Sequence, residues 1–465
     1  MGSDAHAARA TDPDALKPFG IKRVEFRNRI LRSSVGGRMG NWDNQPTELF
    51  KNFEKRFADG GVGAIISTTL GVHERRKGPL QYPSISHDRF VPRLKRYIGA
   101  VRETGCRYIV QIGDPGYASQ NSLFPERDDA LSSSPGFDAI FGYHFRRRAM
   151  SAEEIRGTVE NFRRGAARVV ATGADGIEVT AAKGYLIHQF LNPGINRRND
   201  DYGGNETNRF RLLEEIVRAV RAEVGGEYLF GVRIAAEDLN HVPPLYWLLR
   251  TPHRAGNDLQ TMLRYGKRLA ELGVDYLHVV SGYGFYSPRI VPGRFPTQEA
   301  NIFFNHTSHL GFKAGARSVA FNLLSRIWGV RTLFELAAQL GWRYEQGINL
   351  DYAGEFKRAT GLAIIANGGF QDLDVIQGAV RTGRCDAVSL ARALIANPDL
   401  VNAFFAKGRP RPDNPCTYCN RCIGRTATHP LGCYDVSRFG GDYRAMEDQI
   451  MAFNRLDPIE DGADA

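Results

Sequence analysis

Four of the six cysteines in this 465-residue sequence fall in one short stretch, Cys416-x2-Cys419-x2-Cys422-x10-Cys433. Thiolates this close together in a reducing compartment suit an iron–sulfur cluster, and a tight triad with a more distant fourth is ferredoxin-like spacing. Structural zinc more often uses two separated Cys-x2-Cys pairs, although four thiolates bind it as well. An iron–sulfur cluster is therefore expected first and zinc is the alternative. Cys106 and Cys385, at a helix end and a strand start, read as buried core thiols. A second signature is a pair of loops, Ala366-Asn367-Gly368-Gly369 and Ser389-Leu390-Ala391-Arg392, each closing an apolar run. Gly368-Gly369 alone is a turn signal. Paired with Ala391 and Arg392 it offers backbone N–H groups, a helix N-terminus and a guanidinium, which together make a phosphate grip.

Chemistry of this kind needs a scaffold that brings distant loops to one place. The chain is 42% hydrophobic and 24% charged, ordinary globular composition that excludes fibrous and wholly disordered classes. Short β-branched runs alternate with amphipathic stretches: 29–34, 63–68, 107–112, 175–180, 228–234, 274–280, 361–366 and 385–391 read as strands. One intervening helix is marked by a Ser151/Glu154 capping box, with Ile155, Val159, Phe162, Ala166 and Val170 as its apolar face. Eight βα units predict an α/β fold, a (β/α)8 TIM barrel whose chemistry sits in the loops after the strands. The expected layout is a disordered tail over 1–15, a barrel over 16–408 and a Cys-rich segment with a C-terminal tail over 409–465. Two long insertions at the C-terminal face interrupt the barrel, near 239–256 and 283–346. No internal repeat is evident.

Several motifs resemble the old yellow enzyme family of FMN oxidoreductases. They are Asn28-Arg29-Ile30, Gly60-Gly61-Val62-Gly63, Gln111, the run Gly184 to Pro193 (GYLIHQFLNP), Asn196-Arg197-Arg198, Asp201-Tyr202-Gly203-Gly204 and Asn208-Arg209. The match runs from about residue 16 to 435. The resemblance implies that Gln111 and Arg233 meet the polar edge of the flavin ring, stabilising its anionic reduced form. It implies that Ser33, Ser34 and Gly36 pass the flavin face and its N5 edge. Many relatives have Cys or Thr where Gly36 stands, so side-chain tuning at that point is expected to be lost. Tyr185 coincides with the family's proton-donating tyrosine, and Tyr286 falls near a position used for protonation in dienoyl-CoA reductases. The cysteine spacing is similar to the [4Fe–4S] branch containing 2,4-dienoyl-CoA reductase and trimethylamine dehydrogenase, which implies a [4Fe–4S] cluster here. Members of that branch continue into a nucleotide-binding module, for which the 32 residues after Cys433 are too few. NAD(P)H is then expected to reduce FMN directly, or a separate electron-transfer partner to work through the cluster.

The substrate face departs from the family. Thr180 and Lys183 stand where ene-reductases keep a carbonyl-gripping His with His or Asn, and Asp114 stands where a further His is usual. Lys183 suits an oxyanion or carboxylate, and Thr180 can donate one hydrogen bond. His188 and Gln189 are expected to fix their loop. The expected function is reduction of an activated C=C bond in a hydrophobic or CoA- or carboxylate-bearing small molecule, with Tyr185 as acid. The alternatives are dehydrogenation or oxidative demethylation, and an electron-transfer partner subunit. The 283–346 insertion, rich in Phe, Leu, Trp and Arg, reads first as a lid over a hydrophobic substrate, second as an oligomer contact and third as a membrane-docking surface. With no apolar run of membrane-spanning length and no signal peptide, a cytoplasmic homo-oligomer is expected. The net charge of +10 is scattered along the chain, which does not favour nucleic acid.

Overall fold

The computed structural model describes residues 13–76, 78, 81–119, 130–137, 146–240, 255–284, 291–306, 308, 312–339, 344–407, 410–426 and 428–453. The strands are β1 Ile30–Arg32, β2 Ala64–Ile66, β3 Arg107–Gly113, β4 Gly176–Ala181, β5 Leu229–Ala235, β6 Tyr276–Val280, β7 Ala363–Asn367 and β8 Ala387–Leu390. Neighbours pair in parallel in sequence order, and β8 pairs with β1, so the sheet closes into the expected (β/α)8 barrel. A two-residue strand, Leu70–Gly71, pairs in parallel with the end of β3, along the edge that β2 holds.

Alternation along each strand decides what fills the barrel. Leu31, Ala64, Ile109, Leu229, Tyr276, Ile365 and Ala387 form an inner apolar cluster together with Phe19, Ile21 and Phe26 of a hairpin. That hairpin plugs the end at which the strands begin. Gly231 is required there, because a Cβ would stand 2.0 Å from Cζ of Tyr276, whose ring occupies the interior. Two residues further along the same faces the interior turns polar, with Gln111, Glu178, Arg233, His278 and Ser389.

Outside the ring, helices α1 Glu48–Asp59, α2 Val91–Arg102, α3 Ala152–Ala171, α4 Glu206–Val224, α5 Leu259–Glu271, α6 Leu350–Thr360, α7 Leu373–Arg381 and α8 Leu400–Lys407 bury apolar stripes against the strands. The capping box at α3 is present as expected. Its buried stripe is Ile155, Phe162, Ala166 and Val169, with Val159 at the margin. Val170 is exposed, because a turn of 100° per residue carries it past the edge of the stripe on which Val169 lies. A repeat that the sequence reading missed sits under the strands. Asp175, Asp275 and Asp386, each immediately before β4, β6 or β8, accept the backbone N–H of Tyr108, Phe230 and Ile364 at 2.8 Å. Each also pairs with a basic side chain, from Arg102, Arg221 and Lys357 in turn.

At the chain start, Asp14–Leu16 forms a 3-10 turn with Ala15 and Leu16 buried, so packed structure begins just ahead of residue 16. The first insertion leaves and returns between Asp238 and Asn257, which bond to each other through backbone and side chain; residues 241–254 lie outside the described ones. The second carries helices Thr297–His306, Phe312–Arg326 and Trp328–Gln339. Among the described residues, no helix is long and apolar enough to cross a membrane.

Candidate active site

The loops after the strands meet at one end of the barrel, above a continuous buried hydrogen-bonded belt. Thr69 donates to Gln111 Oε1, and Gln111 Nε2 donates to Glu178 at 2.6 Å. Glu178 also accepts from Tyr276 OH at 3.1 Å and meets His278 Nδ1 at 3.1 Å. His278 Nε2 reaches Ser389 Oγ at 2.8 Å, and Asn367 Nδ2 donates to Ser389 Oγ at 3.1 Å and to Ser33 Oγ at 3.3 Å. Burial opposes ionisation of Glu178, but His278, Arg233 and Gln111 outweigh it and hold the carboxyl below its usual range. Burial is the main force lowering the His278 imidazole. Glu178 and His278 were not singled out from the sequence, although a lone charged residue inside each of the apolar strands GIEVT and YLHVV is a readable signal.

Above the belt the charge is positive. Arg233 is buried and its Nε has no hydrogen-bond partner among the described residues. Lys183, in the left-handed backbone region at φ 64°, is held well below the usual lysine range by burial and then by repulsion from Arg233 and Arg392. Those three cations therefore share one neighbourhood. Tyr185, at the N-terminus of the short helix Leu186–Leu191, has its phenol pushed up by burial, with Arg233 pulling the other way. Thr180 is buried and packs its methyl into the space left by Gly113, where a Cβ would come within 2.6 Å.

The supporting loops are fixed by side chains that face inward. Gly184 N–H donates to His188 Nδ1 at 3.1 Å, so Nε2 carries the proton and donates to Asp238 at 2.7 Å. Gln189 Nε2 donates to the carbonyls of Pro115 and Gly184. Asp114 is a structural partner: Arg76 grips both its oxygens, and Gly116 N–H donates to it. Gly36 is filled from outside, since a Cβ there would stand 2.4 Å from the Tyr82 ring. Tyr82 therefore occupies the space the glycine leaves, a contact the sequence does not announce.

At the far side, the N–H groups of Gly369, Arg392 and Ala393 donate to no described carbonyl. Arg392 lies over the Tyr418 ring and donates to Pro292 O at 2.6 Å and to Asn420 Oδ1. Tyr418 OH donates to Gly369 O at 2.7 Å. The expected phosphate loops are thus tied directly to the cysteine segment. Within that segment, Tyr418 N–H donates to Cys416 Sγ at 3.4 Å and Arg438 to Cys433 Sγ at 3.1 Å. Cys422 lies close enough to Cys416, Cys433 and Cys419 to feel their charge. Among the described residues, no three His, Cys, Asp or Glu are gathered as a site for a metal ion. Tyr286 lies outside the described residues.

Residues 14–242 match the NADH:flavin oxidoreductase / NADH oxidase family. Those residues belong to that family. It is similar to a metal reductase from Desulforamulus reducens, 26% identical over 421 residues that cover 90% of this chain and 52% of that protein. It is similar at the same identity to a multifunctional alkene reductase/demethylase from Caballeronia cordobensis, over 90% of this chain and 52% of that one. The chain thus spans about half the length of each of these relatives. Among solved structures it superposes on a 2-naphthoyl-CoA reductase in complex with 2-naphthoyl-CoA with a TM-score of 0.72 and 21% identity, covering 94% of this chain and 58% of that one. The residues at this end of the barrel fit an anionic flavin nucleotide. The orphaned Arg233 Nε, the loop amides that donate to no described carbonyl and a lysine repelled by Arg233 and Arg392 are what an anionic cofactor satisfies.

Proposed function

We propose that this chain is an FMN-dependent oxidoreductase that reduces an activated C=C bond in a hydrophobic, carbonyl- or carboxylate-bearing small molecule, a CoA thioester included. When bound, FMN supplies hydride chemistry, with NAD(P)H as its source of electrons. Gln111 and Arg233 are assigned to the polar edge of the ring, Ser33, Ser34 and Gly36 to its flank, and Gly368, Gly369, Ala391 and Arg392 to the phosphate. Asn367 positions Ser33 and Ser389, to which its amide is already committed.

One observation carries the reading. A phenol kept protonated by burial stands at Tyr185 within the field of the buried Arg233, which also acts on Lys183. Lys183 and the Thr180 hydroxyl orient the substrate's negative end, and Tyr185 delivers the proton to the carbon that does not receive hydride. Tyr286 is kept as a second candidate acid. The four cysteines are proposed to hold a [4Fe–4S] cluster, supported by N–H donors aimed at two of the sulfurs. Iron and acid-labile sulfide in the purified protein are the expected result, and zinc without sulfide would replace that assignment.

The test is anaerobic. NAD(P)H should bleach the flavin, and an enone or enoyl substrate should restore its colour. Tyr185→Phe should slow the second step by about 100-fold or more and leave the first unchanged; equal loss in both steps would overturn the acid role. A second reading is favoured by the Arg392–Asn420 and Gly369–Tyr418 contacts, which join the flavin loops to the cysteine segment. In that reading an amine or other reduced substrate is oxidised and electrons leave through the cluster. It predicts bleaching by substrate and none by NAD(P)H.

A further inference from the structure

The helix Phe312–Arg326 is amphipathic in the inverse sense. Its polar side faces the protein: Ser318 Oγ and Asn322 Nδ2 donate to Asn305 Oδ1 at 2.5 Å, and Asn301 Nδ2 donates to Ser325 Oγ at 2.8 Å. Its apolar side faces out, with Phe312 91% exposed and Val319, Leu323 and Ile327 each more than half exposed. The spacing of those residues places them on one stripe. Phe312, Gly315, Ala316, Val319, Ala320 and Leu323 line a shallow apolar depression along it. The next helix, Trp328–Gln339, continues the surface with Leu333 and Leu336 exposed.

A single exposed leucine needs no account, but a continuous outward stripe on two successive helices does. Charge says what covers it. Between residues 300 and 344 there are five Lys or Arg and one Asp or Glu. Arg326 and Arg331 are exposed at the margins of the stripe. A second copy meeting this face would bring the same positive charge against it. A lid closed over a substrate would bury its apolar side, whereas these side chains are exposed.

We propose that this helical pair docks the protein on an anionic lipid bilayer, the apolar stripe entering the interface and the arginines meeting the headgroups. The proposal goes beyond the redox reading and stands without it.

Flotation of the full chain with vesicles decides the question. Binding to phosphatidylcholine vesicles containing phosphatidylglycerol, weaker binding to phosphatidylcholine alone and weakening by salt are expected. Val319→Glu with Leu323→Glu should reduce binding by about tenfold or more, and Arg326→Glu with Arg331→Glu should do the same. Both variants should keep the wild-type circular dichroism, because all four side chains are exposed. Absence of flotation with either vesicle, or undiminished flotation of Val319→Glu/Leu323→Glu, would overturn the proposal. So would light scattering that shows a wild-type dimer which this double variant converts to monomer.

Discussion

Lys183 concentrates the electrostatics of the site in one side chain. Burial, Arg233 and Arg392 all act against its charge. A base whose folded pKa lies below its unfolded value lowers stability at pH values under that depressed value. The loss is recovered as pH rises toward the ordinary lysine value of about 10.4. Lys183→Met should therefore raise the stability of the flavin-free protein at neutral pH by on the order of 1 kcal/mol and remove that alkaline gain. Thermal melts of flavin-free protein between pH 7 and 10 check both effects. The same substitution should raise KM for carboxylate-bearing substrates and change KM little for neutral enones. A uniform rise in KM for both classes would deny Lys183 an anion-binding role. Thr180 next to it contributes one hydroxyl, so Thr180→Val is the milder probe of the same face.

The elements hold these groups through devices that vary in legibility. All eight barrel strands were readable, because parallel strands buried on both sides are short apolar runs between amphipathic helices. The loops after β7 and β8 and the cysteine set stand out as spacing, and the roles given to them are part of the proposed function. The polar belt was not, because its members lie on five different strands and only closure of the ring brings Glu178 to His278 and His278 to Ser389. Nor was the commitment of Arg392 to Asn420, a contact across 28 residues of sequence. The Asp175, Asp275 and Asp386 clamps escaped notice because one aspartate per two βα units is too sparse to register as a repeat. Asp175 accepts from Tyr108 N–H and meets Arg102 and Arg107, while only 7% of its side chain is exposed. Asp175→Ala strands a backbone donor and two cations together. It should cost about 2–3 kcal/mol in chemical denaturation, against a near-neutral effect for the exposed Asp88→Ala.

At the scale of the whole molecule the barrel and the cysteine segment form one device, because the loops after β7 and β8 are tied to the segment. Asn420 is the hinge pin: its Oδ1 accepts from Arg392, and its Nδ2 donates to the carbonyls of Val291 and Arg294 at 3.0 Å. Its backbone lies in the left-handed region at φ 61°, where glycine substitutes without strain. Asn420→Gly therefore removes the side chain and spares the turn. If the segment orders Arg392 for the phosphate, FMN should bind about tenfold more weakly in this variant, through loss of one charge-assisted hydrogen bond. Iron content should stay at the wild-type value, because none of the four cysteines is touched. Flavin affinity measured by fluorescence during titration, with iron assayed on the same sample, separates the outcomes. Unchanged FMN affinity with a lower melting temperature would make the Asn420 contact a structural brace alone. Loss of FMN with retained iron would establish that the cysteine segment helps to hold the flavin, which is the arrangement an electron path between the two centres requires.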